Sequence, residues 1–227
     1  MSKKILPVAV VIVIMLLAIT ISRAYAGKFS ELEFFSSEPH IPYTVEQRQN
    51  GNLRVRVQVD IEDREVREQY VNQQHQYALK LAESIADRIP IQVTFSQPLS
   101  IEELRILSNK VGLLVEHLTL ELRDTENGLH TGAVLIDDPD VFDLAKFPSD
   151  PEGYDLKIIG VMVVRGTAEA FNLDDLLEDP KVYVVDVMPY LLTIELAKQY
   201  SVTSAEQIQV DVPSPHWNLS IEQERLQ

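Results

Sequence analysis

The chain has 227 residues, of which 45% are hydrophobic and 24% charged, so it carries enough apolar side chains to build a folded core. Its net charge of −15 disfavours nucleic acid as a partner, because phosphate binding requires a basic surface. The absence of cysteine excludes disulfides, cysteine nucleophiles and thiolate metal centres.

Segment 1–27 has two lysines at positions 3 and 4 and continues with the uncharged, mainly apolar run 5–21. This pattern predicts that the N-terminus stays in the cytoplasm and that the rest of the chain is exported. Two interpretations remain open. The run is either a single-pass helix held in the lipid bilayer through residues 5–21, or a signal peptide cleaved before Gly27. We expect a retained anchor, because the run exceeds the ~7–15 apolar residues usual in signal peptides.

Residues 28–88 predict a linker, a β-hairpin and a long helix. Asn50-Gly51 is the dipeptide that best fits a type I′ turn, in which both central residues have positive φ. Apolar and polar side chains alternate from Leu53 to Ile61, so one face of this strand is expected to be buried. Glu62 to Arg88 lacks glycine and proline and repeats apolar residues at helical spacing, which predicts one helix.

Residues 89–200 contain a strand–helix–strand pattern twice. In the first copy, a strand around Ile91–Phe95 leads to a helix. Ser100 is its expected N-cap, with Glu103 in capping-box position, and Gly112 is its expected end. Residues 113–123 then alternate as a strand, with one face expected to hold Leu114, Glu116, Leu118, Leu120 and Leu122.

The second copy predicts a strand over 156–165, a turn at Gly166-Thr167, a helix over 168–177 and a buried strand over 182–187. A last helix is expected over 190–200, followed by an irregular C-terminal tail at 201–227. The acidic insertion 125–155 separates the two copies, and loops of this length are often functional.

Together these elements predict an α+β protein with an N-terminal transmembrane helix. The domain outside the membrane is expected to be a ferredoxin-like βαββαβ sandwich with an added N-terminal hairpin and long helix. Both strand–helix–strand units are expected to share one sheet, with Val163 and Val184 buried in it.

Four aspartates crowd the insertion, and carboxylate oxygens are ligands that Ca²⁺ prefers. We therefore name a weak calcium site as a hypothesis, with a solvated acidic loop as the alternative; its ligands would be Asp137, Asp138, Asp140 and Asp143. The spacing is not that of an EF-hand. No cofactor is predicted.

Catalytic motifs are lacking in the sequence. The five histidines form no HExxH pair, and there is no G-x-S-x-G and no glycine-rich phosphate loop. His117 is expected to be a surface or edge residue of its strand. Glu102 and Glu103 are explained as negative charge in the first turn of a helix.

Two segments resemble a known family. Ile91-Gln92-Val93-Thr94-Phe95-Ser96-Gln97-Pro98-Leu99-Ser100-Ile101-Glu102-Glu103-Leu104 is similar to the opening of bacterial extracytoplasmic domains of the sigma factor regulator C-terminal type. Ile159 to Thr167, followed by Asp179 to Val182, resembles their second half. The resemblance implies a bacterial surface domain that senses or binds. It assigns no site residues.

We therefore expect a membrane-anchored, extracytoplasmic sensory or protein-interaction domain without catalysis. It would be a single-pass protein of the cell membrane, and its partner would be another protein. The alternative is a secreted hydrolase or inhibitor-like domain. An accessible pocket holding carboxylates or histidines from distant segments would favour the hydrolase.

The calcium hypothesis predicts that titration of the protein with CaCl₂ gives binding heat with a half-saturation near ~1 mM, as in weak extracellular sites. Replacing Asp138→Asn and Asp140→Asn together removes two charged ligands and should abolish this heat. An isothermal titration without heat up to several millimolar would leave the solvated acidic loop as the correct interpretation.

Overall fold

The computed structural model describes residues 41–124, 135–136, 156–202 and 204–215, which form an α+β fold with two sheets and four helices. All of these elements belong to one unit that begins at Pro42. In chain order they are β1 (Tyr43–Gln47), β2 (Leu53–Val57), α1 (Arg64–Ser84), β3 (Arg88–Leu99), α2 (Ile101–Val111), β4 (Leu114–Asp124), β5 (Leu135–Ile136), β6 (Leu156–Glu169), α3 (Leu173–Leu177), β7 (Val182–Asp186), α4 (Met188–Gln199) and β8 (Ile208–Asp211).

Five strands form the main sheet, in the order β5-β4-β6-β3-β7, and each neighbouring pair is antiparallel. Consequently β3 and β4 run parallel with β6 between them, and β6 and β7 run parallel with β3 between them. The prediction that the two strand–helix–strand units share one sheet is confirmed. Val163 and Val184 are 2% and 4% exposed, as predicted.

The second sheet joins the two ends of the described chain. It has the order β1-β2-β8, in which the hairpin strand β2 pairs in parallel with β8. Its apolar side chains Leu53, Val55 and Ile208 are buried, and α4 packs against β8. The prediction of an irregular tail from residue 201 is therefore wrong over Ile208–Asp211.

The hairpin turn differs from the predicted type I′ turn. Gly51 has a φ of 83°, whereas Asn50 keeps a negative φ, and type I′ requires positive values at both positions. The amide of Gly51 donates to the Arg48 carbonyl, and the Arg48 amide donates to the Asn52 carbonyl. This is the three-residue loop in which a glycine in the left-handed region forms a bulge.

Helix α1 is shorter than the predicted 62–88 and packs against β7 and α3. It starts where the Asp63 side chain accepts hydrogen bonds from the amides of Glu65 and Val66. Beyond Ser84 the chain turns into β3, whose first residue, Arg88, pairs with Glu169 of β6. Arg88, which the helical pattern alone assigned to the helix, therefore belongs to a paired strand.

The start of helix α2 follows its prediction closely. The Glu103 amide donates to the Ser100 hydroxyl, and the Ser100 amide donates to the Glu103 carboxylate, which completes a capping box. Gly112 ends the helix in the left-handed conformation, also as predicted.

Strand β4 does not keep the predicted alternation. Its pairing with β6 shifts by one residue between Val115 and His117, so Glu116 bulges out of the ladder. Leu118, Leu120 and Leu122 are buried, but Leu114 lies on the other side of the bulge and is 57% exposed. A bulge reverses the inside–outside alternation of all residues before it.

Strand β6 runs through the turn predicted at Gly166-Thr167 and ends only at Glu169, which leaves α3 as a short helix. Gly166 makes this continuation possible. A Cβ atom added to it would lie 2.0 Å from the carbonyl oxygen of Leu114. Only a glycine lets β4 approach β6 this closely.

No helix within the described residues is long and apolar enough to cross a bilayer. The predicted anchor at residues 5–21 lies outside them, as do Gly27 and residues 28–40 of the predicted linker.

We predict that Gly166→Ala lowers the free energy of unfolding by about 3 kcal/mol or more, because the new methyl group meets a backbone atom that cannot rotate away. Gly51→Ala is the matched control. It has open space around it and only the strain of a positive φ, so about 1–2 kcal/mol is expected. Urea unfolding followed by circular dichroism measures both, and equal losses would contradict the close approach of β4 and β6.

Candidate functional site

A row of four polar side chains crosses the main sheet. The strand registers pair His117 of β4 with Arg165 of β6, Arg165 with Gln92 of β3, and Gln92 with Asp186 of β7. Directly opposed residues in antiparallel strands project to the same face of the sheet. We call these four residues the polar row. It is the place where titratable groups from distant parts of the described chain converge.

One end of the polar row is deeply buried. Asp186 is 1% exposed, and one of its carboxylate oxygens accepts a short hydrogen bond from the hydroxyl of Tyr70 in α1. Its other oxygen accepts from the backbone N–H of Met188, at 3.0 Å. Burial raises the pKa of Asp186 to about 7, although both hydrogen bonds and the nearby charge of Arg165 act in the opposite direction. Burial and the neighbouring carboxylate raise the pKa of Tyr70 well above its ordinary value.

The middle of the polar row holds the C-terminal segment in place. Gln92, 1% exposed, accepts a hydrogen bond of 2.7 Å from Arg165 Nε and donates from its amide nitrogen to Ser214 Oγ at 3.1 Å. The same nitrogen lies 3.3 Å from the Pro213 carbonyl oxygen. One glutamine therefore connects strand β6 to the segment that follows β8.

Helix α1 makes a second buried bond beside Asp186. The Gln74 side-chain oxygen accepts from the backbone N–H of Val187, at 3.1 Å. Tyr70 and Gln74 lie one turn apart on α1, and both reach the point where β7 passes into α4. These bonds position secondary structure, and none of the atoms involved is open to a substrate.

Arg165 and His117 form the accessible end of the polar row, since both are partly exposed. The prediction that His117 lies at the surface or edge is only partly met, because its side chain is half-buried and β4 lies between β5 and β6 in the sheet. Sequence analysis missed Asp186, Gln92 and Arg165 as a group. A polar residue inside an apolar strand was the available signal, as at Gln92 between Ile91 and Val93.

The predicted calcium ligands Asp137, Asp138, Asp140 and Asp143 lie outside the described residues, so the calcium site stays a prediction. Within the described residues, no three histidine or acidic side chains lie close enough together to hold a metal ion.

The acidic residues of α2 have structural roles. The backbone hydrogen bond from Ser100, followed by the bond from Lys181, lowers the pKa of Glu103 to about 2. Lys181 Nζ lies 3.0 Å from the Glu103 carboxylate and thereby links the strand β7 region to α2. Glu102 pairs with Arg105 one turn later. These contacts agree with the interpretation of both glutamates as helix charges.

The chain was also compared with known proteins. No family model, no curated protein and no solved structure matches it.

We predict that the free energy of unfolding falls as the pH rises from about 4 to about 7. The folded protein holds the Asp186 proton up to about pH 7, whereas the unfolded chain releases it near 3.8. The folded state therefore gains stability from this group at low pH, and loses it by at most about 1.4 kcal/mol per pH unit as the pH rises. Asp186→Asn removes this slope, because asparagine does not titrate.

Asp175→Asn, which changes an exposed carboxylate of α3, is the control and should leave the slope as in the parent protein. Urea unfolding at pH 4.5, 5.5, 6.5 and 7.5 measures the three profiles. Parallel profiles for the parent and Asp186→Asn would contradict the buried carboxyl group as their source.

Proposed function

We propose that the protein is a membrane-anchored, extracytoplasmic domain that senses or binds a partner and has no catalytic activity. The observation that carries this proposal is that the buried groups of the polar row hold the fold together. Its carboxylate and amide are buried in hydrogen bonds that join α1, the sheet and the C-terminal segment. A hydrolase needs such groups open to substrate and water.

Exposed apolar side chains add support for a binding role. Ile106, Leu114 and Phe171 are each more than half exposed, and large exposed apolar residues serve contacts with other molecules when they are grouped. Leu114 and Phe171 both lie near the end of α2, where Asn172 donates to the Val111 carbonyl. The secreted hydrolase or inhibitor-like domain is the weaker candidate.

We also propose that the main sheet has a ferredoxin-like arrangement. Strands β3, β4, β6 and β7 would be the first to fourth strands of a βαββαβ unit, and their order in the sheet is second, third, first, fourth. This order and its antiparallel neighbours agree with two interleaved split βαβ units. The short α3 and the second sheet are departures from the simplest form of that arrangement.

The anchor is proposed from the sequence alone. The lysines before the run 5–21 orient the segment with its N-terminus inside the cell, and the chain after it would lie outside the cytoplasm.

The experiment is fractionation of bacterial cells that express the full chain. We expect the protein in the membrane pellet after a carbonate wash, with the apolar run still present by N-terminal sequencing. External protease added to spheroplasts should degrade the domain, since it would face outward. A soluble protein that begins at Gly27 would overturn the anchored form.

Catalysis is tested separately on the detergent-purified chain with ester, peptide and glycoside substrates. We expect no turnover above that of the buffer. Turnover that disappears in Asp186→Asn, with the fold retained by circular dichroism, would favour the hydrolase instead.

A further inference from the structure

Gln92 and Asp186 are buried neighbours on adjacent strands. They are paired in register on β3 and β7, and each is 1% exposed. Directly opposed residues of an antiparallel pair have Cβ atoms about 4.5–5.5 Å apart, so the Gln92 amide is within reach of the Asp186 carboxyl group. Each carboxyl oxygen already accepts one hydrogen bond, from Tyr70 or from the Met188 amide, and an ionised oxygen has room for a second.

In the described structure the Gln92 amide nitrogen is bonded to the C-terminal segment instead. It lies 3.1 Å from Ser214 Oγ and 3.3 Å from the Pro213 carbonyl oxygen, so both of its hydrogens are engaged there. The Gln92 oxygen accepts from Arg165 Nε at 2.7 Å, which holds the other end of the amide in place. Ser214 and Pro213 offer uncharged acceptors, and hydrogen bonds to a charged acceptor are roughly twice as strong. A negative charge on Asp186 therefore competes with the segment for this nitrogen.

Two described side chains, from two different elements, act on the Asp186 carboxyl group. Tyr70 faces it from α1 and Arg165 from β6, whereas β3 and α4 present the uncharged Gln92 and the Met188 amide. Burial raises the pKa of Asp186 to about 7 in spite of these groups. The carboxyl group is therefore uncharged at mildly acidic pH, where it attracts the Gln92 nitrogen only weakly. It becomes a charged acceptor as the pH rises through about 7.

We propose that Gln92 is a pH-sensitive latch on the C-terminal segment, and that the latch loosens when Asp186 loses its proton. The Gln92 nitrogen then turns one hydrogen toward the carboxylate, and the segment keeps at most one of its bonds through Ser214 and Pro213. The segment follows β8 directly, so a loosened latch also lowers the protection of that strand. This device goes beyond the proposed binding function and does not depend on a membrane anchor.

Hydrogen exchange followed by mass spectrometry tests the latch on the full chain in detergent micelles. Labelling is done at pH 6, 7 and 8, with labelling times corrected for the intrinsic pH dependence of exchange. We expect the protection of residues 208–214 to fall about three- to tenfold between pH 6 and pH 8, as for the loss of one hydrogen bond. Helix α2 is the internal reference, since a general loss of stability would lower its protection as well. An equal fall in both regions, or no fall over residues 208–214, would overturn the proposal.

Two variants connect the change to the Asp186 carboxyl group. Asp186→Asn keeps the size of the side chain but cannot ionise, so the protection of residues 208–214 should be the same at pH 6 and pH 8. Tyr70→Phe removes a hydrogen bond that favours the ionised form, so the fall between these pH values should be smaller than in the parent protein. Circular dichroism checks that both variants fold, and Tyr70→Phe decides the question if Asp186→Asn does not fold. An unchanged fall in a folded variant would overturn the proposal.

His117 supplies the matched control, because histidine side chains titrate near neutral pH and this one belongs to the polar row. His117→Gln removes that titration and leaves Gln92, Arg165 and Asp186 in place. The fall in protection over residues 208–214 should then equal that of the parent protein. A flat profile in His117→Gln would assign the pH response to the histidine and overturn the latch.

Discussion

Burial of the Asp186 carboxylate is costly unless protein donors replace the water that it loses. Tyr70 and the backbone N–H of Met188 are those donors, and each belongs to a different helix. These bonds tie α1 to the end of β7 through Tyr70, and tie the first amide of α4 to the same carboxylate. The core residues Leu81, Val185 and Leu192 are fully buried, and these hydrogen bonds add a directional constraint that apolar contacts do not have.

The polar row also connects buried residues, Asp186 and Gln92, to the partly exposed Arg165. Arg165 is bonded to Gln92, and Gln92 is bonded to Ser214. One buried glutamine therefore joins the partly exposed Arg165 to the segment that follows β8.

Local features of the fold were predictable because their causes are local. The capping box at Ser100 and the left-handed glycine at Gly112 depend only on residues a few positions apart. The prediction for Leu114 failed because the bulge at Glu116 is set by the pairing of β4 with β6, far away in the chain. The helix predicted from residue 168 failed for the same reason, since Arg88 pairs with Glu169.

The candidate site shows the same limit. Gln92, Arg165 and Asp186 were each visible as polar residues in apolar strands, but nothing in the sequence says which positions stand opposite one another. Their grouping depends on strand register, and register is a property of the folded sheet. The aspartates of the insertion stood out in the sequence because they are adjacent there, and adjacency says little about which side chains meet in the fold.

The parallel pairing of β2 with β8 has a mechanical consequence. Strand β1, the first strand of the described chain, is hydrogen-bonded to β2, and β2 is held on its other side by β8, the last described strand. A pull on the chain before β1 would act on this sheet and be shared with β8, where Arg54 and Asp211 form an ion pair of 2.6 Å. Proteolytic loss of the last strand would remove that support and leave the hairpin to bear the load alone.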